Sequence, residues 1–72
     1  MTTLIINIRH NADDSALANF PFLPEQHIID EQYGDACVVE IDLAGHADTT
    51  AAQEQYLNTN DAVVGYEVRE AE

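Results

Sequence analysis

The sequence predicts an α+β domain with the element order β-α-β-β-α-β, in which two short helices cover one face of a four-stranded antiparallel sheet. Three observations predict this fold. Four segments alternate apolar and polar residues with the period of two that is typical of half-buried strands. Gly34 and Asp35 form a two-residue hairpin signal between the second and third of these segments. Two other segments begin with residues that cap helices.

The first strand and the first helix are predicted in the N-terminal part of the chain. The strand covers Thr3 to Arg9, where every even-numbered position from 4 to 8 is aliphatic. The helix covers Asn11 to Asn19, because the acidic and hydroxyl side chains at positions 13–15 can cap its start. It has room for about two turns before Pro21 ends it.

Two strands, a helix and a last strand follow. The second strand is predicted over His27 to Tyr33, and the third over Ala36 to Leu43, where the alternation is cleanest. Asp48, Thr49 or Thr50 can cap a second helix that runs to about Leu57 or Asn58, and Thr50 with Gln53 fits a capping box. The fourth strand is predicted over Ala62 to Arg69.

Right-handed crossovers place both helices on the same face of the sheet, with the strand order 4-1-3-2. This is the ferredoxin-like βαββαβ arrangement, and it makes residues 1–72 a single domain. The predicted core combines the apolar residues of the covered sheet face with those of the helices and their loops. Its members are Leu4, Ile6, Ile8, Ile29, Tyr33, Cys37, Val39, Ile41, Leu43, Val64, Tyr66 and Val68 from the strands, with Leu17, Phe20, Ala52, Tyr56 and Leu57.

The net charge excludes several classes of function. Fourteen acidic residues stand against two arginines and no lysine, which gives a formal charge of −12 for 72 residues. Such a chain is not expected to bind nucleic acid or an anionic membrane surface directly, because both attract cationic proteins. No apolar run approaches the roughly 20 residues that span a bilayer. No secretory signal is visible, so a cytoplasmic location is expected.

Three interpretations of this acidity remain open. Adaptation to high salt, a general gain in solubility, and a surface that meets a basic partner each produce an excess of carboxylates. Under the third interpretation the protein binds a basic protein, for example a nucleic-acid-binding effector whose groove it fills. Mimicry of nucleic acid requires the charges to be clustered, because twelve charges spread evenly over the surface fall about three- to fourfold short of the charge density of DNA.

The sheet face without helices is the predicted binding surface. Alternation places on it four large aliphatic residues with no intramolecular partner, and such a patch often marks a protein interface. It also places there four carboxylates and the two arginines, which can neutralise neighbouring acids. The predicted partner-binding residues are Ile5, Asn7, Arg9, Ile28, Asp30, Val38, Glu40, Asp42, Val63, Glu67 and Arg69. The absence of aromatic residues from this face argues against direct binding of RNA.

No catalytic or metal site is predicted. His10, His27 and His46 are widely separated in the sequence, and Cys37 alternates with core residues, so these side chains lack the ligand spacing of a zinc site. The sequence has no Gly-rich phosphate loop, no nucleophile elbow and no arrangement of the Ser-His-Asp type. The protein is therefore expected to be neither an enzyme nor a cofactor-binding protein.

The C-terminal third resembles the end of subtilisin-type propeptide inhibitors. In the segment 57–67 (LNTNDAVVGYE), a helix ending in Leu leads through a short polar turn to Val and then to an aromatic residue before Glu. The strand over residues 4–9 and the hairpin at Gly34 are compatible with that family. The order of elements is also similar to that of small maturation chaperones of the twin-arginine export pathway. The first resemblance implies docking on a protease through the open sheet, with the C-terminal tail in the active site.

Three functions are consistent with these observations. The first is an acidic inhibitor that occludes the nucleic-acid-binding surface of a basic protein and acts as a DNA mimic, as phage-encoded anti-defence proteins do. The second is a propeptide-type protease inhibitor or chaperone. The third is a structural homodimer joined through its sheet faces. The first is preferred, because a charge of −12 on 72 residues lies outside the usual range for a small domain.

Overall fold

Four strands form one antiparallel sheet in a computed structural model of the protein, which describes residues 2–10, 12, 14–33 and 37–70. The sheet order is β2-β3-β1-β4, which confirms the predicted order. One α-helix, α1, precedes the last strand in the described part of the chain. The elements are β1 (Thr2–Ile8), β2 (His27–Gln32), β3 (Cys37–Asp42), α1 (Ala51–Thr59) and β4 (Val63–Glu70). The predicted turn at Gly34 and Asp35 lies outside the described residues.

The prediction of two helices is wrong. The described part of the segment expected to form the first helix contains only a 3₁₀ turn, Asp14–Leu17. The hydrogen bonds at its end and just beyond it also span three residues, from the Ala18 N–H to the Ser15 carbonyl at 3.2 Å and from the Phe20 N–H to the Leu17 carbonyl at 3.1 Å. Pro21 comes four residues after the turn, and so short a segment cannot repay the cost of nucleating an α-helix. The fold therefore departs from the ferredoxin-like βαββαβ arrangement at this element.

The core lies between α1, the 3₁₀ turn and one face of the sheet. The two central strands, β1 and β3, contribute most of its fully buried side chains. Leu17 and Phe20 join it from the 3₁₀ turn and the loop beyond, so they cover the sheet as expected although the helix is absent. The buried apolar residues are Leu4, Ile6, Ile8, Leu17, Phe20, Cys37, Val39, Ile41, Leu43 and Leu57.

Helix α1 begins with the predicted capping box. The Thr50 hydroxyl accepts from the Gln53 N–H at 3.1 Å, and the Gln53 Oε1 accepts from the Thr50 N–H at 3.0 Å. Gln53 is fully buried, whereas Ala52, which was expected in the core, is exposed. The helix therefore faces the sheet with Gln53, Tyr56 and Leu57.

Gln53 also forms hydrogen bonds that hold the loop between the 3₁₀ turn and β2 against α1. Its Nε2 donates to the Pro21 carbonyl at 3.1 Å and to Gln26 Oε1 at 2.6 Å. The amide of Gln26, which is also buried, donates to the Leu43 carbonyl at 3.4 Å, and its Oε1 accepts from the Leu23 N–H at 3.1 Å. Two buried amides thus take the place of apolar side chains at one end of the core. They are tolerated there because their polar atoms are hydrogen-bonded.

Candidate functional site: an acidic sheet face

The sheet face opposite α1, called the open face below, presents three rows of side chains that cross all four strands. In each row the four residues are directly paired from β2 through β3 and β1 to β4. The first row is His27, Asp42, Thr3 and Arg69; the second is Asp30, Glu40, Ile5 and Glu67; the third is Gln32, Val38, Asn7 and Gly65.

Eight of the eleven predicted partner-binding residues share this face. They are Ile5, Asn7, Asp30, Val38, Glu40, Asp42, Glu67 and Arg69. The remaining three, Arg9, Ile28 and Val63, do not belong to the paired rows. Arg9 follows the end of β1 and is exposed, and its backbone N–H donates to the Ala62 carbonyl at 2.8 Å.

The placement of Ile28 on the open face is wrong because β2 contains a bulge. Ile28 pairs with Ile41, but Asp30 pairs with Glu40, so Ile29 is an extra residue in the strand. One extra residue reverses the alternation, since successive side chains point to opposite faces. Ile28 consequently packs against the core, whereas Ile29, which was expected in the core, is 43% exposed.

A second bulge makes the placement of Val63 wrong in the same way. Ile8 of β1 pairs with Val63, and Asn7 pairs with Gly65, so Val64 is the extra residue in β4. Val63 packs against the core, whereas Val64, expected there, is 70% exposed. The two bulges remove two of the four expected aliphatic residues from the open face. The surface is therefore less apolar, and more dominated by charge, than the sequence predicted.

The two bulges have a sequence signal that regular alternation conceals. Each lies at a pair of adjacent β-branched residues, Ile28-Ile29 and Val63-Val64, near the start of a strand at the sheet edge. In a strand with one buried face, two adjacent apolar residues cannot both point inward unless the strand bends or gains a residue. The doublets indicate a bulge only in the edge strands, because Ile5-Ile6 in β1 and Val38-Val39 in β3 pair with a regular register. His27 and Thr3 also belong to the open face, although neither was predicted to bind a partner.

Like charges stand directly opposite each other near the middle of the open face. Asp30 and Glu40 are cross-strand partners, an arrangement that destabilises a sheet. The Asp30 carboxylate accepts a weak hydrogen bond from Gln32 at 3.5 Å, and Asp42 accepts from the Ala44 N–H at 2.8 Å. Glu40 is partly buried, and its carboxylate has no hydrogen-bond or ion-pair partner among the described residues.

One cation reduces this charge at the edge of the face. Arg69 Nη2 lies 2.7 Å from Glu67 Oε1, and both side chains are more than half exposed. A pair so exposed contributes little to folding, because water and salt screen it. The three rows thus hold four carboxylates and one guanidinium, a net charge of 1 − 4 = −3 without His27.

The charge density of the open face is close to that of DNA. Four strands and three alternate rows cover about 19 Å by about 17 Å, from the standard strand spacing and rise. A net charge of −3 on that area gives about one charge per 110 Å². Duplex DNA has one charge per ~1.7 Å of axis, or about one per 100 Å² on a cylinder about 20 Å wide. If all twelve net charges were spread evenly over the 4475 Å² of accessible surface, each would occupy about 370 Å².

The three histidines and the cysteine lie in different parts of the fold. Within the described residues, no three His, Cys, Asp or Glu side chains are grouped so that they could hold a metal ion. Cys37 is buried in the core, His27 begins the first row of the open face, and His10 and His46 are exposed elsewhere. No helix in the described ranges has the length and apolar character required to cross a membrane.

Comparisons with protein-family models, with curated proteins and with solved structures gave no match to this chain. The resemblance to propeptide inhibitors and export chaperones stays a hypothesis.

Proposed function

We propose that the protein binds a basic protein through the open face and blocks the surface on which that partner binds nucleic acid. The observation that carries this proposal is the carboxylate of Glu40, which is partly buried on a central strand, lies opposite Asp30 and has no partner among the residues that the structure describes. Placing two acids there costs folding free energy. A guanidinium or ammonium group from another protein supplies the missing counter-charge.

The shape and charge of the open face support mimicry of nucleic acid. Its width, about 19 Å, is close to the diameter of a DNA duplex, and its charge density is within about a tenth of the DNA value. Ile5 and Val38 lie among the charged residues and are only partly buried. They offer apolar area at the centre of the surface, where interfaces gain most of their affinity.

The same distribution of charge argues against a homodimer joined through its open faces. A homodimer joined face to face brings four carboxylates against four, and like charges across an interface cost several kcal/mol. No feature of the open face singles out a protease as the partner. Binding to a protease is therefore an outcome that the experiment below detects, and it would contradict the proposal.

The experiment captures partners on the immobilised protein from cells that naturally carry it, and then tests each purified partner for nucleic-acid binding. A stoichiometric amount of the protein is expected to displace duplex DNA or RNA from the partner. The complex is expected to weaken steeply as salt is raised, because its contacts are ionic. A matched pair of variants gives the control. Glu40→Gln should displace nucleic acid poorly, whereas Glu54→Gln, which changes an exposed side chain of α1, should act as the parent does.

Three results contradict the proposal. One is a partner that keeps its nucleic acid when the protein is bound. Another is an equal loss of nucleic-acid displacement in Glu40→Gln and Glu54→Gln, because the overall net charge, and not the open face, would then cause the displacement. The third is a complex with a protease that does not depend on salt and that blocks its active site.

A further inference from the structure

The two edges of the sheet differ in their capacity to accept another strand. The β2 edge has five exposed residues out of six, carries the acids Asp30 and Glu31, and is interrupted by the bulge at Ile29. Acidic side chains and a bulge are features that oppose edge-to-edge pairing. The β2 edge is therefore protected.

The C-terminal half of the β4 edge is also charged, with Glu67, Arg69 and Glu70, but its charges are of both signs and no bulge interrupts it. β4 pairs with β1 on one side, and no described strand pairs with its other side. Beyond the bulge at Val64 the pairing with β1 is regular from Gly65 to Glu70. This stretch carries charges of both signs, since Glu67 and Arg69 point to the open face on either side of Val68.

We propose that two copies of the chain pair antiparallel along β4, with the two-fold axis at Val68. This register places Glu67 of each copy directly opposite Arg69 of the other on the open face. On the α1 side it places the two Val68 side chains, which are partly buried in each monomer, against each other. Opposite charges and β-branched residues are both favourable as direct cross-strand pairs.

Charge selects this register over its two neighbours. An axis at Glu67 opposes that carboxylate to its own copy, and an axis at Arg69 opposes two guanidinium groups; like charges directly opposite destabilise a pair of strands. The ion pair between Arg69 and Glu67 within each strand does not prevent the pairing of these residues with the other copy. It is exposed, and the five donors of a guanidinium can serve two carboxylates.

The dimer forms an eight-stranded sheet whose two open faces are continuous. Its interface is a short pair of strands, below the size of a stable complex, so a weak and reversible dimer is expected. The net charge of −12 on each copy opposes association further, and salt screens that repulsion. Pairing along the β4 edge leaves the open face uncovered, so it does not depend on the function proposed for that face.

Sedimentation equilibrium of the full chain between about 10 μM and about 1 mM, at about 0.15 M salt, tests the proposal. The parent is expected to show a monomer–dimer equilibrium. Arg69→Glu and Glu67→Arg should each weaken it at least about tenfold, because each creates two like-charge pairs. The double variant Glu67→Arg/Arg69→Glu should return to within about threefold of the parent, since it restores unlike pairs.

Two controls have the same change of net charge at exposed positions away from the β4 edge. Arg9→Glu matches Arg69→Glu, and Glu25→Arg matches Glu67→Arg, so both controls should dimerise within about threefold of the parent. Circular dichroism verifies that every variant is folded. A parent that is monomeric at the highest concentration overturns the proposal. Single variants that dimerise normally, or a double variant that does not recover, overturn it equally.

Discussion

Replacement of Gln53 by Ala is expected to remove a large part of the stability of the domain. Gln53 is fully buried, and its side chain makes three hydrogen bonds, to the Thr50 N–H, the Pro21 carbonyl and Gln26 Oε1. Each bond contributes about 1 kcal/mol net, or more where a buried group is left without a partner. Alanine recovers a few tenths of a kcal/mol as a better helix former. The expected loss in the free energy of unfolding is thus about 2–3 kcal/mol.

This loss is large for a chain of 72 residues. At roughly 0.05–0.15 kcal/mol per residue, the whole domain has a stability of about 4–11 kcal/mol. Urea denaturation followed by far-UV circular dichroism measures the change, with the slope of the transition expected to stay the same. Gln55→Ala is the control, because Gln55 is exposed on the same helix. If the two variants differ by less than about 0.5 kcal/mol, the buried amide network does not hold the helix and the loop as argued.

Three further predictions follow from the bulges and the open face. Val63→Asp should cost about 2 kcal/mol or more, because Val63 packs against the core, while Val64→Asp should change stability by less than about 0.5 kcal/mol. Glu40→Gln should raise stability by about 0.5 kcal/mol, since it relieves the repulsion from Asp30. Val38→Asp should leave the domain folded but abolish partner binding, because Val38 lies on the open face.

Urea denaturation tests the first two of these predictions, and binding to the captured partner tests the third. If Val64→Asp cost more stability than Val63→Asp, β4 would alternate regularly and the bulge at Val64 would be contradicted. A loss of stability in Glu40→Gln would show that the carboxylate has a stabilising contact within the domain. An unfolded Val38→Asp would mean that the two faces of β3 are exchanged.

Regular alternation was sufficient to predict the central strands. From Leu4 onward in β1, and throughout β3, every second residue is apolar and buried. These strands have two neighbours each, so a shift of register would expose the whole core face. The strand order and the capping box of α1 were also predicted correctly. The predicted residues of the open face are therefore correct where they belong to β1 and β3.

The edge strands and the first helix could not be predicted from local pattern alone. An edge strand has only one neighbour, so it accommodates an extra residue at Ile29 or Val64 with little loss of pairing. The residues before Pro21 have helix-forming side chains, but tertiary contacts determine their conformation. Tyr56 and Asn60 both donate to the Ala16 carbonyl, at 3.1 and 2.6 Å, and so satisfy a group that a longer helix would have used.

The most direct test of the central claim is the association rate of the captured partner with two double variants that lose the same charge. Glu40→Gln/Asp42→Asn removes two of the four carboxylate charges of the open face, and Asp48→Asn/Glu54→Gln removes two from exposed residues just before and within α1. The open-face variant is expected to associate at least about tenfold more slowly at low salt, with a weaker dependence on salt. The control is expected to stay within about threefold of the parent. Equal slowing by both variants would contradict the account, because the overall charge, and not the acidic sheet face, would then attract the partner.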